Sequence, residues 1–74
     1  MIGVGSRVRL KRSLSNADKQ YWREKGISSV RIYTVSKQMR LPSGIICLLK
    51  GTGQFLYEEE LEDMFISNLK EILT

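Results

Sequence analysis

The side chains best placed to do chemistry are cations. Arg7, Arg9, Lys11, Arg12, Arg23, Arg31, Lys37 and Arg40 all fall within the first forty residues, with Trp22 and Tyr33 among them. Guanidinium and ammonium groups neutralise phosphates, and flat rings stack on unpaired bases. These ten residues are therefore the candidate binding surface. No RNP, KH or helix-turn-helix motif accompanies them. A solvated basic face, or one that docks a protein, uses the same residue types.

Catalytic chemistry has little to work with. The chain contains no histidine, so the commonest general acid–base group is missing. Its one cysteine, Cys47, sits in the apolar run Ile45-Ile46-Cys47-Leu48-Leu49 with no base to activate it, and reads as a small buried hydrophobe. Gly51-Thr52-Gly53 lacks the following Lys-Ser/Thr of a phosphate loop and its strand-to-helix setting. The acidic stretch from Glu58 to Asp63 offers carboxylates too close in sequence to converge on a metal, and reads better as the start of a helix. No enzyme activity, no cofactor and no metal are expected.

Length and charge narrow the field. Seventy-four residues make one domain, 1–74, burying about 60% of its unfolded surface around a thin core. A lone cysteine excludes an internal disulfide and favours a reducing compartment. No signal peptide is recognisable, and no apolar run approaches the roughly 20 residues that span a bilayer, so a cytoplasmic chain without membrane attachment is expected. Residues 1–50 carry eleven of the twelve Lys and Arg against Asp18 and Glu24, a net +9; residues 51–74 carry Lys70 against six acids, a net −5. This asymmetry predicts a basic surface with an acidic flank, or two halves that neutralise each other across one small fold.

The elements that would position these residues follow from periodicity. From Gly5 to Arg12, Val8 and Leu10 alternate with Arg7, Arg9 and Lys11, the pattern of a half-buried strand. Its cations would stand about 6–7 Å apart, as successive phosphates do and as any solvated strand face does. Asn16 can cap a helix running to Lys25 and stopped by Gly26. In it Tyr21 and Trp22 are adjacent, so one is expected in the core and the other at the rim. Ile27 to Gln38 reads as a strand with apolar groups on both sides, covered on both faces or containing a bulge. Met39 to Gly44 reads as a loop with the turn cluster Pro42-Ser43-Gly44.

The strongest hairpin signal lies in Gly44 to Leu61. An apolar strand, the turn Lys50-Gly51-Thr52-Gly53 and the extended Gln54-Phe55-Leu56-Tyr57 follow one another before three glutamates intervene. After them Leu61, Met64, Phe65, Leu69, Ile72 and Leu73 recur at spacings of three and four, which predicts a C-terminal helix over about 59–73. Ser67-Asn68 could interrupt it. Its apolar stripe is expected to pack on the strands; left uncovered, it would suit a homodimer or a partner groove.

Taken together, Gly5-Ser6-Arg7-Val8-Arg9-Leu10, Ile32-Tyr33-Thr34-Val35, Ile45-Ile46-Cys47-Leu48-Leu49 and Phe55-Leu56-Tyr57-Glu58-Glu59-Glu60-Leu61-Glu62 resemble the small bacterial and phage SH3-like barrels. That group includes KOW-type domains and accessory subunits of photosynthetic complexes. The resemblance covers about residues 3–63. It implies a mainly β chain, a small antiparallel barrel, to which the capping and periodicity read above add a helical insertion at about 16–25 and a C-terminal helix over about 59–73. It also implies a non-enzymatic binding module, a protein–protein adaptor or an accessory subunit. The alternative is a nucleic-acid-binding protein using the basic strand face.

Overall fold

The structure, a computed structural model, describes residues 2–64. Five strands, β1 (Arg7–Leu10), β2 (Tyr33–Leu41), β3 (Gly44–Leu49), β4 (Phe55–Tyr57) and β5 (Leu61–Asp63), form one antiparallel sheet in the order β4-β3-β2-β1-β5. One helix, α1 (Asn16–Glu24), connects β1 to β2, and a 3-10 turn over Glu58–Glu60 connects β4 to β5. The chain is thus mainly β, as expected. The expected barrel is, among the described residues, an open sheet with β4 and β5 at its edges.

Alternation places the core. Val8 and Leu10 of β1 are fully buried, and they meet Tyr33 and Leu61, their cross-strand partners in β2 and β5. In the predicted hairpin, Cys47 and Leu49 point inward with Leu56, while Ile46 and Leu48 take the opposite face. Its turn forms as glycine requires: Gly51 and Gly53 adopt φ of 82° and 69°, where a Cβ would be strained. Leu49 closes the loop by donating its N–H to the Gln54 carbonyl at 3.1 Å.

β2 carries a bulge between Val35 and Lys37, the second of the two arrangements open to it from the sequence. The extra residue reverses parity, so Tyr33 and Val35 face the core before it and Gln38 faces the core after it. The Gln38 amide is satisfied there, donating to the Ile2 carbonyl at 2.9 Å and lying 3.7 Å from the Cys47 sulfur.

Four boundaries differ from those expected. β2 begins at Tyr33, and Ile27 to Ile32, read above as strand, form a turn and irregular backbone with Val30 81% exposed. Met39–Leu41 belong to β2 rather than to a loop, because Leu41 pairs with Gly44 and leaves only Pro42-Ser43 as the turn. Proline's missing N–H costs no ladder bond in that position. The helix is capped by Ser15, not Asn16: the Ser15 hydroxyl accepts from the Asp18 N–H at 3.1 Å. Leu61–Asp63, assigned above to a helix over 59–73, pair with β1 as a strand, and the residues before them form the 3-10 turn. Met64, which follows β5, is buried; residues 65–73 of that helix, with the homodimer face it would offer, lie outside the described residues.

The other end of α1 is a Schellman motif. Ile27 donates to the Trp22 carbonyl at 2.8 Å and Gly26 to that of Arg23 at 3.1 Å. Gly26 takes φ 91° to allow it. The motif drops Ile27 into the core beside Trp22. The aromatic pair divides as expected: Trp22 packs on the core and Tyr21 is 52% exposed, their rings meeting edge to face at 5.0 Å.

Cys47 is fully buried, and burial pushes its thiol above the usual 9.0, outweighing the downward pull of the Gln38 amide. The thiolate is the reactive form. Cys47 is therefore expected to resist a thiol-disulfide reagent at pH 8 in the folded protein and to react at once in denaturant. Equal rates in both states would contradict its placement.

Candidate binding surface

Cross-strand register gathers the outward side chains of β2, β3 and β4 into rows. Lys37, Leu48 and Phe55 form one row; Met39, Ile46 and Tyr57 form the next; Leu41 and Gly44 form the last. Met39 is 40% exposed and Phe55 38%, while Ile46, Leu48, Tyr57 and Leu41 are half-buried. Six apolar side chains thus adjoin on one face of the sheet, with Lys37 among them and no carboxylate in the three rows. The Tyr57 ring lies over Gly44, where a Cβ would stand 3.5 Å from it, and its hydroxyl is 2.8 Å from that of Ser43. That contact fixes one end of the face.

The basic residues singled out in the sequence do not form one surface. Arg7 is exposed beside Thr34 on the outward side of β1. Arg9, two residues on, is tied to Glu62 at 3.2 Å across β1–β5, an ion pair between partly shielded groups. Lys11 and Arg12 follow β1; the Arg12 carbonyl accepts from the Lys19 ammonium at 2.9 Å. Arg23 lies exposed in the last turn of α1, where a cation suits the dipole. Lys37 stands in the apolar rows, and Arg40, paired with Ile45, alternates to the other side of β2. Arg31 lies 5.8 Å from the Tyr33 ring centre.

Neither ring is an open stacking platform. Tyr33 is 8% exposed and its hydroxyl accepts from the Ser28 N–H at 2.8 Å. The Trp22 indole donates to Glu60 Oε2 at 2.8 Å. That bond closes a cleft of about 330 Å³ between Asp18, Tyr21, Trp22 and Glu60. Burial raises the Glu60 carboxyl above its usual 4.5; Trp22 pulls it back down, and the charges of Asp18 and Glu59 raise it again.

Periodicity missed a second cluster. Lys25, Arg31 and Lys50 line a cleft of about 410 Å³ with Gly26, Ile32, Tyr33, Thr34, Gly51 and Thr52. Lys25 and Lys50 directly follow the helix and β3, where the sequence marks only an end and a turn. The only sequence clue was that a glycine follows each of them. Among the described residues, no cluster of three or more His, Cys, Asp or Glu is arranged to hold a metal ion, and no helix is long and apolar enough to cross a membrane.

No family model matches the chain, and neither a curated protein nor a solved structure matches it.

Proposed function

We propose that this chain is a non-enzymatic binding module of the SH3-like kind, which docks a protein segment on the outward face of β2, β3 and β4. The observation that carries the reading is the six adjoining apolar side chains of that face. A solvated sheet face alternates to polar residues, and contiguous exposed apolar groups mark interaction sites. The SH3-like part rests on the strand order β4-β3-β2-β1-β5, the long β1–β2 connection and the 3-10 turn before β5. The partner segment is apolar with acidic flanks. Lys37 within the face, and Lys50 and Arg7 beyond its first row, favour that charge. A lone buried thiol and the absence of histidine fit a reducing, cytoplasmic adaptor or accessory subunit rather than an enzyme. The nucleic-acid alternative is weaker. Arg9 is already paired, and the Trp22 and Tyr33 rings are engaged within the fold.

Phe55→Glu tests this reading. The substitution sits on an exposed edge position and should leave the circular dichroism melt within a few degrees of the wild type. Affinity for a partner captured from the native host and then purified should fall at least tenfold, since a charge in place of an aromatic contact commonly costs more than 1 kcal/mol. Arg12→Ala, away from the rows, should leave binding unchanged. Unaltered binding by Phe55→Glu would move the docking site elsewhere.

A further inference from the structure

We propose that the cleft between the end of α1, the segment leading into β2 and the β3–β4 turn binds a small anion with clustered phosphates. Three cations reach it from three separate elements: Lys25 from the helix C-cap, Arg31 from the approach to β2, and Lys50 from the hairpin turn. No carboxylate lines it. Gathering three like charges without a counter-charge is unfavourable in the empty protein, and an anion relieves it.

The walls hold the cations in place. The Lys50 N–H donates to the Thr34 carbonyl at 2.8 Å, which fixes the turn against β2. The Tyr33 ring backs Arg31, its centre 5.8 Å from the guanidinium carbon. Gly26 and Gly51 leave the cleft open, with nothing within 4 Å of where a Cβ would sit on either. Arg7, one strand from Thr34, adds positive potential at the rim. A volume of about 410 Å³ is that of a small-molecule site, generally about 300–1,000 Å³. A nucleic-acid track would need further cations in line and free rings, and Lys37, Arg40, Trp22 and Tyr33 are placed otherwise. A compact polyphosphate matches the cleft better than a strand does.

The test is an amide-resolved NMR titration of the full chain with inorganic triphosphate at about 50 mM salt, repeated with a charge-matched oligothymidylate. Triphosphate should saturate, moving the amides of 25–34 and 50–52, with at least tenfold weaker binding in both Arg31→Ala and Lys50→Ala. Lys19→Ala, a cation outside the cleft, should bind as the wild type does. All three side chains lie at the surface, and an unchanged amide spectrum elsewhere reports an intact fold. Non-saturating shifts, or shifts spread evenly over Lys37 and Arg40, would overturn the proposal. So would tighter binding of the oligonucleotide through the same amides, which would assign the cleft to a nucleic-acid backbone. Lys50 and Arg7 lend charge to both readings, but Arg31 lines only the cleft and Phe55 only the docking face, so Arg31→Ala here and Phe55→Glu there let either reading fail alone.

Discussion

Leu49→Ala is expected to remove about 2–5 kcal/mol of stability, while Leu48→Ala, one residue away, removes less than about 1 kcal/mol. The two leucines are identical in propensity and adjacent in β3, so the contrast isolates direction alone. Leu49 is 1% exposed and packs within the core cluster of Val35, Cys47 and Leu56. Truncating it deletes buried methyl groups and leaves a cavity that a sheet on one side cannot collapse. Leu48 faces outward between Lys37 and Phe55, where its truncated volume fills with water. At about 0.05–0.15 kcal/mol per residue, a 74-residue chain holds roughly 4–11 kcal/mol in total, so the first substitution approaches the whole margin. Urea titrations followed by circular dichroism would measure both. Equal costs would mean that β3 has no distinct inner face, and the apolar docking face would go with it.

That contrast also marks where sequence reasoning stopped. The run Ile45 to Leu49 is apolar at every position, so its pattern carries no information about which side is inside; only pairing with Leu56 and Val35 decides. β1 was legible because its polar residues are charged and its apolar ones are not, which leaves a clean period of two. The hairpin turn was legible because two glycines demand positive φ. β5 was not: three residues are too few to show a period, and Leu61 and Met64 at a spacing of three imitate a helix. The extent of β2 was hidden by Pro42, which marks a turn without saying how short it is.

The candidate site was legible only in its ingredients. Arg9 reads as a free cation until Glu62, fifty-three residues later, is seen beside it. Tyr33 reads as a surface ring because Ile32 and Thr34 on the other parity are equally good inner residues. The bulge and the pairing of Val8 with Tyr33 settle the choice. Lys25, Arg31 and Lys50 are separated by whole elements, and no local pattern can join them.

Trp22→Phe is expected to cost about 1–3 kcal/mol at neutral pH, and the cost should shrink on acidification. Phenylalanine keeps most of the ring's packing on the core but removes the indole N–H, leaving the partly buried Glu60 carboxylate without that donor. Glu60 already has a folded-state pKa above its usual 4.5, through burial first and then the neighbouring carboxylates, with the Trp22 bond opposing both. A carboxyl raised in the folded state favours folding in its protonated form. That contribution is present below the unfolded value and is lost as pH rises through the folded one. Removing the indole donor raises the folded value further, so the variant is penalised most at pH 7 and recovers as pH falls towards 4.5. In a Glu60→Gln background the amide carries no charge to strand, and the same Trp22→Phe change should cost less and show little pH dependence. Circular dichroism melts of the four proteins across pH 4.5–7 form the cycle. A Trp22→Phe cost that is flat with pH, or unchanged by Glu60→Gln, would show that the helix is held by ring packing alone and that the 2.8 Å bond contributes nothing to seating it.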